Sequence, residues 1–454
     1  MTDLNKMREF FLTGATQFPE VRKKQLKKFL SALEKYEDKI QKALWNDLKK
    51  SVAESYITET GFIKSEIRMA LRNLRQWMKP EKVSTNLVNR PSTSKIVRQP
   101  KGVVLIIGPW NYPIQLCLAP LVCAIAAGNC AVVKPSELAP ASSALMAEMI
   151  RDLFSPEYVD VVEGEGAAVV PDLINRFRFD HIFYTGSTTV GKAISVQAAS
   201  QLIPVTLELG GKSPVIVEPD APIPVTARRI CLSKFSNAGQ MCIAPDYVVA
   251  HTSVAGELVA ALTHTIHEFY GVDPSVSADF GRVLNEKRFD ILASYLKQGK
   301  VATGGQTNRF DLYIAPTILT DVSLDDPIMK EEIFGPILPV LTYKDDRELQ
   351  NILDHNPDPL ALYIFTANVK KARALMARNP SGGACINNTA VHFLNNRLPF
   401  GGIRNSGLGT YHGRFGFETF SHQKAVMETP TWFDPSLKYP PYERKLGWIR
   451  RLMG

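Results

Sequence analysis

The sequence predicts an α/β fold, a doubly wound parallel sheet followed by a second α/β unit, and two observations carry the prediction. Residues 103–107 (Val-Val-Leu-Ile-Ile) form an unbroken apolar run closed by Gly108-Pro109, the pattern of a strand buried on both faces. Similar short runs at 131–134, 159–162 and 181–184 then alternate with helix-length segments, which open near residues 113, 141, 166 and just after 187. Four strand–helix alternations specify parallel strands joined by crossover helices.

Other elements follow from periodicity and punctuation. Val21, Leu26, Phe29, Leu30, Leu33, Ile40, Leu44 and Leu48 recur at spacings near 3.6, one apolar stripe on one long amphipathic helix. A second stripe, Phe62, Ile63, Ile67, Leu71, Leu74 and Met78, stops at Pro80. Residues 81–100 are polar and read as an extended connector or edge hairpin. The second α/β stretch starts near Thr206 and runs to about residue 390, followed by a glycine- and aromatic-rich region and a tail with Pro440-Pro441.

Composition narrows the function classes. With 454 residues, 45% hydrophobic and 22% charged, the chain is a folded globular protein of roughly two to four units. No run approaches the ~18 apolar residues of a membrane span, and the first residues lack the apolar segment of an export signal. A net charge of +8 is mild at this length. Its richest cluster, Arg22-Lys23-Lys24 with Lys27 and Lys28, is expected on the solvated face of a helix. No basic patch interleaved with aromatics indicates nucleic acid. Six cysteines without a C-x-x-C pair fit a reducing, cytoplasmic compartment. His264 and His267 share a helix face but lack a third ligand, so no metal site is expected.

Five cysteines, at 117, 123, 130, 231 and 385, sit in apolar or mixed segments and read as buried structural thiols. Cys242 differs, because Ser236-Asn237-Ala238-Gly239-Gln240-Met241 before it forms a polar turn on which a substrate could reach the thiol. Glu208 lies between Leu207 and Leu209 and ahead of Gly210-Gly211. Burial there raises a carboxyl pKa into the range of a general base; a surface glutamate beside a turn is the alternative. Asn111 follows the first parallel strand, at the carboxyl end where such sheets bind ligands. Its amide can donate to an oxyanion, or it is an ordinary turn residue. Thr185-Gly186-Ser187, with Gly191, lacks the full G-x-G-x-x-G but places small residues at a helix N-terminus suited to a pyrophosphate. Lys134 and Glu137 add a cation and an acid after another strand.

In this order, Pro-Trp-Asn (109–111), Lys-Pro-Ser-Glu (134–137), Thr-Gly-Ser (185–187), Glu-Leu-Gly-Gly (208–211), Gly-Gln-Met-Cys (239–242), Glu-Ile-Phe-Gly-Pro (332–336) and Pro-Phe-Gly-Gly (399–402) resemble the aldehyde dehydrogenase superfamily. The short N-terminal region, the wording of residues 108–115 and Tyr439-Pro440-Pro441-Tyr442 resemble its class 3 branch, which acts on fatty and aromatic aldehydes. The resemblance implies N-terminal helices (1–80), an oligomerisation arm (81–100), a Rossmann-like NAD(P)-binding domain (101–205), a catalytic domain (206–397), and a return through residues 398–454 that completes the cofactor domain and arm.

It further implies a chemistry. Cys242 attacks the aldehyde, and the Asn111 side chain and Cys242 backbone N–H hold the oxyanion. Hydride leaves to the nicotinamide, and water activated by Glu208 hydrolyses the thioester to a carboxylic acid. Trp110, Lys134, Glu137, Gly186, Ser187, Gly191, Leu209, Glu332 and Phe334 are the implied cofactor residues. NAD is the first expectation, since Glu137 repels a 2′-phosphate, with NADP possible through Lys134. Tyr112, Met241 and Ile243 are expected along an apolar substrate tunnel, with His392, Phe393 and Thr410 to His412 at its entry. The implied assembly is a soluble homodimer, and the ending Trp448-Ile449-Arg450-Arg451-Leu452-Met453-Gly454 is too short and charged for a stable membrane anchor. Two alternatives stand beside this reading. A CoA-acylating relative typically lacks the base at the place of Glu208, and a non-enzymatic scaffold predicts loss of the nucleophile, base or oxyanion donor.

Overall fold

A computed structural model describes residues 3–453. Its six-stranded sheet runs, in spatial order, Gly407–Leu408, Val205–Glu208, His181–Thr185, Val103–Ile107, Cys130–Lys134 and Val159–Val161. Five strands are parallel, and Gly407–Leu408 is antiparallel to its neighbour. Every residue of the three central strands is buried, as helices on both faces require. Those helices, Gln115–Ala127, Pro140–Leu153, Gly166–Arg176 and Thr188–Ala199, each follow a strand. Winding reverses between Val103–Ile107 and His181–Thr185. The loops leaving those two strands, beginning at Gly108 and Gly186, therefore flank the crevice where open parallel sheets bind ligands.

A second sheet of seven strands has the order Lys300–Thr303, Thr317–Thr320, Ile337–Tyr343, Tyr247–His251, Pro214–Val217, Ala361–Phe365 and Gly383–Ile386. All pairs are parallel except the edge strand Lys300–Thr303. Thr206, expected to open this second unit, belongs instead to the first sheet: Ile182 to Thr185 pair residue by residue with Val205 to Glu208, and the second sheet begins at Pro214. A third, antiparallel sheet joins Glu81–Val83, Thr93–Pro100 and Ser421–Glu428, bringing the polar segment 81–100 into one sheet with residues 421–428. One apolar core continues from the N-terminal helices through the first sheet to one face of the second, whose other face has its own cluster.

Two N-terminal expectations need correction. The stripe from Val21 to Leu48 is two helices, Pro19–Lys35 and Glu37–Leu48, separated where Tyr36 leaves helical geometry (φ −95°, ψ 2°). Glu37 and Asp38 then occupy the first turn of the new helix, where carboxylates favour the dipole. Arg22 is buried rather than solvated. Its guanidinium donates to the carbonyls of Thr16 (2.8 Å), Ala126 (3.0 Å) and Gln17 (3.2 Å), and burial pulls its pKa down to about 10. Ala126 lies in the last turn of a helix whose end carbonyls lack intrahelical partners, so Arg22 acts as a cap supplied from a distance. Among the described residues, no helix is long and apolar enough to cross a membrane, and no cluster of side chains could hold a metal ion.

Candidate active site

Two cavities meet between the sheets. One, of about 800 Å3, is walled by Trp110, Asn111, Gly186, Ser187, Leu209, Glu332 and Phe334 among others. The other, of about 480 Å3, is walled mainly by Tyr112, Met241, Ile243, Phe393, Phe400, Tyr411 and His412. They share four residues, Leu116, Thr185, Glu208 and Cys242. Sulfur and carboxylate thus stand at the neck joining an open cleft to an aromatic chamber.

Local backbone explains how Cys242 gets there. Helix Ile223–Phe235 ends at Ser236, and Asn237, Ala238 and Gly239 all take positive φ (51°, 51° and 74°). A left-handed alanine is strained, and the turn throws the following residues back into the neck. Cys242 is the one half-buried cysteine among the described residues; the other five are buried. Burial pushes its thiol pKa up, and the Glu332 and Glu208 carboxyls add to the shift. The backbone N–H groups of Cys242 and Ile243 oppose that shift. A cation in the neck favours the thiolate, the nucleophilic form.

Glu208 ends its strand with 3% exposure, and neither carboxylate oxygen has a partner. Burial raises its pKa well above the ordinary carboxylate value. Asn111, also buried, donates through Nδ2 to the Gln240 carbonyl at 3.0 Å, and its second N–H stays available. Thr185 Oγ1 is likewise buried without a partner.

The open cleft fits a dinucleotide. A side chain at Gly186 would displace the Tyr184 hydroxyl, and one at Gly210 the Glu332 carboxylate. Ser187 caps helix Thr188–Ala199, its hydroxyl accepting from Val190 N–H at 3.4 Å, and that N-terminus opens on the cleft with its free donors and positive dipole. Trp110 and Phe334 meet edge to face at 5.3 Å between ring centres. Arg288 donates to the Glu332 carbonyl at 3.2 Å, while burial raises the Glu332 carboxyl to about 8. Lys134 and Glu137 form an ion pair of 2.5 Å at the end of the neighbouring strand. The Glu137 carboxylate also accepts from Gly166 N–H at 3.1 Å, at a helix N-terminus, and these bonds hold its pKa below the usual value against the cost of partial burial. Gly191 lies within the helix, not on the cleft wall, where the absent side chain lets Leu209 pack close.

Of the expected substrate residues, Tyr112, Met241, Ile243 and His412 wall the chamber and His392 does not. His392 stacks on Phe400 (6.0 Å, 24°) and places Nδ1 3.4 Å from Cys385 Sγ, so its neighbour Phe393 forms the wall. His412 is no rim residue: it is 1% exposed, stacked on Phe400 (5.0 Å, 22°), and neither ring nitrogen has a partner. Burial lowers its pKa to about 3, with a contribution from His392, leaving it neutral. Tyr411, expected at the entry, also walls the chamber. Sequence reading missed Thr58 and Gln115 in the wall, and the charged residues Lys50, Glu54 and Glu59 behind it.

The model of the aldehyde dehydrogenase family matches residues 5–426. The chain is 43% identical to 4,4′-diaponeurosporen-aldehyde dehydrogenase of Staphylococcus aureus over 97% of this chain and 96% of that one. It is also 43% identical to aldehyde dehydrogenase family 3 member H1 of Arabidopsis thaliana, covering 99% and 94%. The substrate-bound structure of Staphylococcus aureus AldH superposes with a TM-score of 0.97 at 42% identity, over 99% of this chain and 98% of that one. On fold, motif order and near full-length identity, the chain belongs to the aldehyde dehydrogenase family and oxidises aldehydes with NAD or NADP as acceptor.

Proposed function

We propose that Cys242 is the nucleophile, Asn111 the oxyanion donor and Glu208 the hydrolytic base in the oxidation of apolar aldehydes to carboxylic acids. The observation that carries this reading is the shared neck: Cys242 and Glu208 each face both cavities. The sulfur adds to the carbonyl carbon, and the free N–H of Asn111 with the Cys242 backbone N–H receives the oxyanion, each such donor contributing roughly 10²–10³ in rate. When bound, the dinucleotide supplies the hydride acceptor and a positive ring beside the thiol. Glu208 then takes a proton from the water that attacks the thioester, releasing the acid and restoring the thiol. An intact buried carboxyl at 208 supports hydrolysis over transfer to CoA, and three complete catalytic residue types argue against a non-enzymatic scaffold.

Trp110, Ser187, Leu209, Glu332 and Phe334 hold the cofactor in the cleft, with Gly186 allowing its close approach and Lys134 and Glu137 at its adenosine ribose. Glu137, ionised and fixed at a helix N-terminus, favours NAD over NADP. The aromatic chamber selects long aliphatic or aromatic aldehydes, which the relative named for a diaponeurosporen aldehyde supports. The three-stranded sheet is the arm of a cytoplasmic homodimer, and the organisation is N-terminal helices, cofactor domain, catalytic domain and return segment.

An absorbance screen for NADH and NADPH over short, long-chain and aromatic aldehydes tests the proposal, with Cys242→Ala as its control. Turnover is expected with long or aromatic substrates and lost in the variant while the cofactor still binds. Steady-state turnover persisting in Cys242→Ala would falsify the nucleophile assignment.

A further inference from the structure

Three charged side chains from the N-terminal segment 50–59 stand behind the neck without lining either cavity. Lys50 and Glu59 form an ion pair of 2.6 Å with both side chains wholly removed from solvent. The same ammonium donates to the Asn111 carbonyl at 2.8 Å and sits 3.8 Å from the centre of the Tyr112 ring. The other Glu59 oxygen accepts the N–H groups of Ile114 (3.1 Å) and Gln115 (2.7 Å), at the start of helix Gln115–Ala127. The pair therefore grips residues 111–115 at both ends.

Glu54 holds the opposite loop. Its Oε1 accepts the Ser236 hydroxyl at 2.8 Å and the Asn237 N–H at 2.6 Å, where the left-handed turn toward Cys242 begins. Between Glu54 and Glu59 the helix widens into a π-turn, Tyr56–Thr60, a distortion that recurs at functional sites. Asn237 closes the frame, donating through Nδ2 to the Asn111 carbonyl at 2.8 Å and the Gln240 carbonyl at 3.2 Å.

The geometry points to Lys50, Glu54 and Glu59 as positioning residues that fix the separation between the oxyanion donor and the nucleophile. The inference rests on the roles given above to Asn111 and Cys242. A buried ion pair contributes little stability relative to apolar side chains of the same volume. What these charges supply is direction: five bonds to two separate loops, all set by residues 50–59.

The test replaces Lys50 and Glu59 together by methionine, which leaves no unpaired buried charge. Cofactor dissociation constant and aldehyde KM should stay near wild type. Single-turnover NAD(P)H formation and kcat should fall about 100-fold, the scale of an ångström-sized misplacement. A single-turnover rate within about threefold of wild type overturns the inference. Should the double variant fail to fold, Glu54 decides the matter. Glu54→Ala is expected to slow the single turnover about tenfold, and Glu54→Gln, which keeps an acceptor for Ser236 and Asn237, to restore it. Equal rates in these two variants also overturn the inference. Asn111→Ala measured alongside separates the two levels: if it too keeps its rate, the reading of Asn111 has failed, whereas if it alone loses rate, only the positioning role has.

Discussion

The Asn111 side chain donates to the Gln240 carbonyl at 3.0 Å, two residues before Cys242, and so ties the loop after the first parallel strand to the loop that carries the sulfur. One amide N–H makes this tie and the other is left for substrate. Asn111→Ala removes both, and Asn111→Asp substitutes an ionised acceptor that cannot donate. Both variants should lose roughly 10²–10³ in kcat, read as NAD(P)H formation at saturating aldehyde. A kcat within about fivefold of wild type in both would mean that the oxyanion is held elsewhere.

Glu208 carries two pH predictions. Its carboxyl is buried without a partner, and burial raises its pKa. A base must be ionised, so wild-type turnover limited by hydrolysis should rise with pH through that raised pKa. Glu208→Gln should keep a stopped-flow burst of NAD(P)H, stall at the thioester, and lose this pH limb. The stability sign follows from the same shift. The native state keeps a proton that the unfolded chain releases, so stability is full below the ordinary carboxylate pKa and declines as pH rises above it. The melting temperature of Glu208→Gln should therefore gain on wild type as pH rises above the ordinary carboxylate range. A constant difference would mean that Glu208 is not held protonated.

The elements legible in the sequence were those set by local pattern. Continuous apolar runs marked the parallel strands, and a lone carboxylate between two leucines marked Glu208. What stayed hidden depends on partners far along the chain. Arg22 looks solvated until the carbonyl of Ala126 is brought beside it. The break at Tyr36 leaves the apolar phase on either side unchanged, so periodicity alone passes through it. Val205–Glu208 joins one sheet rather than the other through its register with Ile182–Thr185, which no single strand encodes. Lys50, Glu54 and Glu59 resemble the solvated charges of any amphipathic helix, and neither their burial nor the π-turn has a sequence signal. His392 and Phe393 are adjacent, and only the turn geometry decides which one faces the chamber.

Cofactor choice should turn on Glu137. Its carboxylate is paired with Lys134 at 2.5 Å and with Gly166 N–H at 3.1 Å, which keeps it ionised. Glu137→Gln removes the negative charge and leaves the Lys134 cation uncompensated. The ratio of kcat/KM for NADP to that for NAD should rise about tenfold, the equivalent of roughly 1.4 kcal/mol. Initial rates with both cofactors at one aldehyde concentration measure it. An unchanged ratio would place the 2′-position away from this pair.

Lys234 offers a stability test separate from catalysis. It lies in helix Ile223–Phe235 with no exposure, and its Nζ has no hydrogen-bond partner. Nearby, Lys212 is paired with Asp246, so that carboxylate is already engaged. Burial pulls the Lys234 pKa from 10.5 to about 8, and the Lys212 charge adds to the fall against the pull of Asp246 and Glu332. Between those two values the unfolded chain holds a proton that the native state has released, so stability rises with pH across that window. Below about pH 8 the full cost applies, on the order of 3 kcal/mol. Lys234→Met keeps the stem and removes the charge. It should raise the melting temperature at pH 7, and calorimetry should show the gain shrinking as pH approaches 10. A gain that does not vary with pH would mean that packing, not a desolvated ammonium, sets the difference.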